Sequence, residues 1–395
     1  MDHVSRDLRV ALRSLIKRPG FSGVVVLILG VGIGANSAVF SVLNSVLLRP
    51  LSYEEPDRLV RVYEEFVLPD GEIRYEYNFL SGPMYQNLRR REDVFQDVSA
   101  FYSYREMGAD LTGGDRPERV VRMPVSAEYF RVLGISPALG RAFTPREERA
   151  GVALAVISHR LWRRSLGGDR GVLGRTLELD GVAHEVVGVM PRGFRGPVGT
   201  PVSVWTPENL DLEASRNSWG NHYLSSVARL APGVTLKQAQ DRLDAFAAAL
   251  AEAEGQIYDG GHARLQLIPL HADRVGHSTA TLWVLMAAVA LVLLSTCVNV
   301  ANLFLVRSFS RIKELALRAA LGSGRGALVR QLLSESLVLS LLGGILGLAL
   351  AWAGIQLLVA AAPEGLPRVE EIGLDAPVLL FTLAVAVLTG LAFGL

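Results

Sequence analysis

The chain has one cysteine, Cys297, so no disulfide can form within it. Lysine is almost as scarce, with 3 among 40 basic residues, the other 37 being arginine. Lys17, Lys237 and Lys313 follow Ile16, Leu236 and Ile312, whereas a phosphate-binding GxxxxGK[ST] loop needs glycine before its lysine. An ATPase of that type is therefore excluded, and any ATP-driven work must be powered by a partner. No serine lies in a GxSxG elbow. His184 and Glu185 open an HExx sequence, but Gly188 stands where a zinc site requires histidine. His159, His222, His262, His271 and His277 show no metal-ligand spacing, and Glu147 with Glu148 reads as a solvated face. No catalytic, cofactor or metal residue is expected, and a net charge of +1 gives no reason to expect a nucleic-acid partner.

Asp, Glu, Lys and Arg are missing altogether from four long stretches, residues 21–48, 282–306, 337–362 and 378–395. A bilayer core takes about 20 apolar residues per helix. The expected fold is thus an α-helical membrane protein with four transmembrane helices and a large mixed α/β domain, residues 49–281, between the first and second. A cleaved signal peptide is the rival for the first run. Its apolar region spans only about 7 to 15 residues, whereas here Val39, Phe40, Val42, Leu43, Val46, Leu47 and Leu48 continue past Ala35.

The near-neutral total hides an asymmetry. Residues 51–306 hold 27 basic and 31 acidic side chains and the remainder 13 and 8, so the insert carries −4 and the flanks +5. Arg6, Arg9, Arg13, Lys17 and Arg18 precede the first run; Arg307, Arg311, Lys313, Arg318, Arg325 and Arg330 follow the second. After the third run Arg368 stands alone against Glu364, Glu370, Glu371 and Asp375. Basic short loops stay in the cytoplasm, which puts the N-terminus inside and the large domain outside.

Within residues 1–20, Val4, Leu8, Ala11, Leu12, Leu15 and Ile16 form an apolar stripe opposite the arginines, a pattern that suits a helix lying on membrane lipid. Residues 58–63 and 153–157 read as strands, and 176–179 with 182–187 as a hairpin about Asp180 and Gly181. Thr235 and Gln238 form a capping box that opens a helix over 236–254; residues 85–98 and 127–133 are shorter helix candidates. Turn clusters at 112–115 and 191–201 suggest two subdomains, the inner one roughly 120–215.

Gly30, Gly32 and Ala35 match GxGxxA, but apolar character persists on all faces through Leu48, which a dinucleotide fold does not allow. Gly30 with Gly34, and Gly343 with Gly347, instead have the small-xxx-small spacing of close membrane-helix contact. Asn299 and Asn302, with Ser295 and Thr296, place polar groups in the second run, where they read as interhelical bonds or as the lining of a translocation pathway.

Residues 307–336 form a basic amphipathic segment, broken at 322–326, before the third run at 337–362; residues 363–377 make the next loop. Its ELALRAALGSGRGALVRQLLSES resembles the segment by which the MacB and FtsX type of ABC transporter permease meets its ATPase. RPGFSGVVVLILGVGIGANSAVFSVLNSVLLRPL resembles that family's first crossing, and CVNVANLFLVRSFSR its second. LGRTLELDGVAHEVVGVMP and VARLAPGVTLKQAQ resemble its periplasmic core. The resemblance is strongest to the duplicated orphan group, in which two modules share one polypeptide.

The resemblance implies a four-helix module of the bacterial inner membrane whose periplasmic MacB-like domain moves as a separate cytoplasmic ATPase binds and hydrolyses ATP. Glu314, Leu315, Leu317, Arg318 and Ala320 would form the coupling surface, and Gly322 and Gly324 its turn. Implied partners are that ATPase, a second permease module in the same chain or a homodimer, and a periplasmic or outer-membrane component. The run at 378–395 closes without a polar tail, so a fragment, the first half of a duplicated permease, is expected. A membrane-anchored sensor or scaffold acting without ATP is the alternative.

Overall fold

The computed structural model describes residues 15–16, 19–68, 70–102, 108–112, 117–197, 201–208, 219–254, 262–310, 325–361 and 372–394. They form two units, residues 1–49 with 275–395, and residues 50–274. The in-plane helix expected near the N-terminus and most of the loop at 363–377 lie outside the described residues.

Helix α1 (Pro19–Leu43) passes into a π-helical turn, Asn44–Leu48. Five helices belong to the unit of residues 50–274: α2 (Gly82–Arg89), α3 (Tyr129–Leu133), α4 (Pro145–Arg149), α5 (His159–Ser165) and α6 (Leu236–Glu254). Helix α7 (Leu270–Ser310) follows without a break, then α8 (Arg325–Ala361) and α9 (Ala376–Gly394). Among the described residues, four spans are long and apolar enough to cross a bilayer: Pro19–Leu48, Thr279–Val306, Leu332–Leu357 and Ala376–Phe393. Helix is the form hydrocarbon requires, because it satisfies every backbone polar group within one segment. The fold is four membrane helices with a mixed α/β domain between the first and second.

The domain is built on one thirteen-stranded sheet. Its strands are β1 (Leu59–Val67), β2 (Ile73–Asn78), β3 (Leu80–Ser81), β4 (Phe95–Tyr102), β5 (Gly108–Thr112), β6 (Glu118–Val125) and β7 (Leu139–Gly140). They continue as β8 (Leu154–Ile157), β9 (Thr176–Leu179), β10 (Val182–Val189), β11 (Val204–Pro207), β12 (His222–Leu230) and β13 (His262–Pro269). Two lobes share this sheet. In the first, β4, β12, β1 and β13 are antiparallel neighbours. In the second, the order β11-β8-β10-β9-β5-β6 closes on itself, because β11 also pairs with β6. The lobes meet where β4 and β6 pair, at Phe101 opposite Val125.

Strand periodicity sorts the first lobe's core into two faces. Leu224, Ala228 and Leu230 of β12 pack with Met84, Tyr85 and Leu88 of α2 and Ala239 and Leu243 of α6. Val227 turns the other way, into a cluster with Leu59, Phe101, Tyr129, Phe130 and Trp205. The Thr235 and Gln238 capping box forms at the head of α6, the two reciprocal bonds measuring 3.0 and 3.2 Å.

Three readings of the sequence need correction. The helix expected over 85–98 ends at Arg89, and β4 begins at Phe95. Val98 and Ala100 face one core and Phe101 the other, a two-faced burial that a strand achieves and one amphipathic helix face does not. Helix α7 begins at Leu270, twelve residues before the apolar run at 282, because its first turns carry His271, Asp273 and Arg274. Glu148 is buried at 7% exposure rather than solvated. Consecutive helical residues point about 100° apart, so Glu147 stays at the surface, bonded to Arg141 and Thr144, while Glu148 turns inward.

Leu243 is fully buried against the first lobe. Leu243→Ala should destabilise the domain by about 2–5 kcal/mol, and Thr235→Ala by about 1 kcal/mol. Thermal denaturation of the purified full chain, compared between variants, checks the ranking.

Candidate functional site

The candidate site lies where the chain enters and leaves residues 50–274. On the entry side, Leu51 is 5% exposed and lies in the cluster of Phe101, Tyr129 and Trp205. Tyr53 packs against the same cluster and donates its hydroxyl to the Arg195 carbonyl at 2.8 Å. On the exit side Leu270, the first residue of α7, is fully buried in that cluster as well.

One turn further along α7, Asp273 meets a polar clamp from β1. Tyr63 donates its hydroxyl to Asp273 Oδ1 at 2.5 Å, and Arg61 Nε lies 3.5 Å from Oδ2. Arg61 and Tyr63 are two apart on the strand and so share a face. The Arg61 guanidinium lies 5.3 Å from the Tyr63 ring centroid and 5.4 Å from that of Phe101, and Arg61 also donates to Ser225 Oγ at 3.4 Å. Burial pushes the Tyr63 phenol above its ordinary value, Arg61 opposes that shift, and Asp273 adds to it. The phenol therefore remains a proton donor to Asp273 throughout the neutral range.

In the membrane unit, α1 and α8 cross through glycine. A β-carbon on Gly34 would lie 2.8 Å from the Gly347 carbonyl oxygen, and one on Gly347 3.1 Å from the Gly30 carbonyl oxygen. Gly343 sits as tightly against the Leu29 side chain, and Gly30 against Leu346. Beside this crossing, α1 presents a polar stripe to α9 and the residues before it. Ser37 and Thr382 share a hydrogen bond of 2.7 Å, Ser41 donates to the Gly373 carbonyl at 2.7 Å, and Asn44 donates to Asp375 at 2.9 Å. Phe40 stacks on Phe381 at 4.0 Å. Asn36 donates to the Val289 carbonyl of α7 at 2.8 Å.

Asn299 and Asn302 lie elsewhere on α7. Both are exposed on α7 within this chain. The face of α7 turned to α1 carries Leu293, Thr296, Val300 and Phe304, spaced three or four apart, and the two asparagines lie off it. Glu314, Leu315, Leu317, Arg318, Ala320, Gly322 and Gly324 lie outside the described residues. Directly after them, α8 buries Glu335, Ser336 and Ser340 at 2%, 1% and 0% exposure. Glu335 and Ser336 stand at the edge of the apolar run and Ser340 just inside it, where residue spacing alone does not mark them.

Removing the carboxylate of Asp273 would leave Arg61 buried beside two aromatic rings without its ion-pair partner. Asp273→Ala should cost about 2–3 kcal/mol, and Asp273→Asn, which keeps an acceptor for Tyr63, should cost less. Denaturation midpoints of the two variants provide the comparison.

Residues 22–246 match the MacB-like periplasmic core domain, and residues 286–395 match the FtsX-like permease C-terminal region. The macrolide export ATP-binding/permease protein MacB of Chromobacterium violaceum is 27% identical over 275 residues, which is 68% of this chain and 40% of that protein. The chain thus spans about two fifths of that relative's length. An uncharacterized ABC transporter permease of Bacillus subtilis, YknZ, is 24% identical over 98% of this chain and 94% of its own. The crystal structure of the periplasmic region of MacB from Actinobacillus actinomycetemcomitans aligns with a TM-score of 0.40 at 13% identity, covering 56% of this chain and 93% of that one. With both matches lying in chain order and the first alone covering more than half of its residues, this chain belongs to the MacB/FtsX-type family of ABC transporter permeases.

Proposed function

We propose that the chain is the non-catalytic permease subunit of an ABC-type efflux or mechanotransmission system, in which ATP hydrolysis by a separate cytoplasmic subunit moves the extracytoplasmic domain. The observation that carries this reading is α7, a single helix from Leu270 to Ser310 whose first residue is buried in the domain core and whose Asp273 is clamped by Arg61 and Tyr63. A helix resists bending over such a length, whereas a loop at the same place would absorb a displacement. Family membership supports the ATPase partner, and these 395 residues contain no GxxxxGK[ST] phosphate loop of their own.

Orientation follows from charge. With the basic segments at 1–20 and 307–336 inside, the domain faces the periplasm and the coupling residues Glu314, Leu315, Leu317, Arg318 and Ala320 face the cytoplasmic ATPase, Gly322 and Gly324 shaping the turn between them. Asn299 and Asn302 then face the site of a second permease module, in the same polypeptide or a second copy, where an exposed amide in hydrocarbon gains a hydrogen-bond partner. A periplasmic or outer-membrane component receives the movement, and residues 1–20 rest on membrane lipid.

The test is the ATPase rate of the candidate nucleotide-binding subunit in nanodiscs, with and without this chain. The chain should change that rate, and Glu314→Ala and Arg318→Ala should each reduce the change several-fold, the order expected for coupling of about 1–3 kcal/mol. A rate and a complex unaffected by the chain or by either variant would overturn the proposal in favour of a scaffold acting without ATP.

A further inference from the structure

Where β6 exchanges β5 for β4 as its neighbour, between Val121 and Val125, an arginine stands enclosed without a partner. Successive side chains leave a strand on opposite faces. Arg122, three residues before Val125, and Tyr102, one after Phe101, therefore both project from the face opposite the Phe101 and Val125 pair. On the other side of β6 runs the parallel strand β11, with Val204 opposite Arg122 and Thr206 opposite Pro124. Glu208 follows two residues later, its N–H donating to the Val125 carbonyl at 2.9 Å. On this face Val120, Val186 and Val204 belong to the second lobe's apolar core. Arg122, and His184 two residues before Val186 on β10, continue that face in polar form.

Arg122 Nε is fully enclosed without a hydrogen-bond acceptor, and among the described residues no ion pair reaches the guanidinium. Its charge nevertheless bears on Tyr102, His184 and Glu208. Each of the three is engaged elsewhere or lacks the charge to answer it. Tyr102 donates its hydroxyl to Glu208 Oε1 at 2.9 Å, which commits that carboxyl group to the phenol. His184 Nδ1 donates to the Val182 carbonyl at 2.9 Å, and burial pushes the imidazole below its ordinary value, so it adds no second cation at neutral pH. Burial pushes the Glu208 carboxyl up, opposed by the Tyr102 bond and the Arg122 charge. The Tyr223 ring lies 5.5 Å from that of Tyr102. An enclosed donor with no acceptor is costly in a native fold, and an occupant that supplies the acceptor removes the cost.

We propose that Arg122 anchors a binding site for a singly charged carboxylate group, with the Tyr102 and Tyr223 rings beside it. The planar guanidinium matches a carboxylate through two parallel N–H···O bonds, and Nε is one of the donors this geometry uses. Charge balance selects among anions. One unpaired cation stands beside a carboxyl group that is itself partly buried, so a single negative charge is accommodated and the two of a phosphate are not. Aromatic rings at the margin suit a carboxylate carried on an apolar body. The site is built entirely from residues 50–274 and stands whether or not the ATPase coupling holds.

Trifluoroacetate serves as the probe, its fluorine line width measured at neutral pH and constant ionic strength with the full chain in nanodiscs and with empty nanodiscs. The site predicts broadening in excess of the empty discs, reversed by acetate but not by chloride or inorganic phosphate at the same concentration. Arg122→Met should reduce the excess at least about tenfold. In carboxylate-free buffer the same variant should melt at or above the temperature of the parent, because an enclosed, unpaired guanidinium has been replaced by an apolar chain. Glu208→Gln keeps an acceptor for Tyr102 and removes the competing charge, and should tighten trifluoroacetate binding several-fold. No excess broadening in the parent chain, the same excess in Arg122→Met, or displacement by phosphate as readily as by acetate would overturn the proposal. So would a lower melting temperature for Arg122→Met, or an affinity left unchanged by Glu208→Gln.

Discussion

Residues 50–274 are joined to the membrane helices by two peptide connections, and both run into one apolar cluster. Leu51 on the way in and Leu270 on the way out pack with Phe101, Tyr129, Phe130 and Trp205. β1 and β12 bring Leu59 and Val227 into the cluster from the first lobe, and β8 and β11 bring Val156 and Trp205 into it from the second. Because the same cluster receives both connections, neither can be displaced without disturbing the contacts of the other. The Arg61, Tyr63 and Asp273 clamp adds direction to this burial, since a charged pair and a phenol bond hold the first turn of α7 at a defined rotation.

The membrane unit obeys a different constraint. Lipid gives no hydrophobic drive to bring apolar helices together, so contact must come from close packing and internal hydrogen bonds. Gly34 and Gly347 allow the backbones of α1 and α8 to touch, and leucine or valine at either position would push them apart. Ser37, Ser41 and Asn44 lie four and three residues apart and satisfy their polar groups on Thr382, Gly373 and Asp375. The π-helical turn at Asn44–Leu48 comes where this stripe ends. Stability and specificity in this unit thus rest on few atoms, each without a substitute in hydrocarbon.

Much of this architecture is legible in the sequence, for identifiable reasons. The four membrane spans announce themselves by missing charge, the hairpin at Asp180 and Gly181 by turn chemistry, and α6 by its capping box. What stays hidden is long-range or local in a way composition does not record. The closure of β11 onto both β8 and β6 joins segments that have no sequence relation. The early start of α7 is masked by His271, Asp273 and Arg274, whose polarity belongs to the clamp and looks like a loop. Glu148 looks like its neighbour Glu147 in sequence, yet one turn of a five-residue helix sends it into the lobe junction. Asn299 and Asn302 show the reverse case, polar residues whose type suggests an internal bond and whose helical phase turns them outward.

The central claim is that α7 remains one helix, anchored in the domain, while ATP is turned over by the partner subunit. Amide hydrogen exchange across residues 270–281, in the full chain assembled with its ATPase in nanodiscs, tests it most directly. Continuous anchorage predicts that these amides stay protected to the same degree with and without ATP turnover. Exchange at the rate of an unstructured segment in either state would show that the first turns of α7 melt, and the account of transmission through this helix would be contradicted.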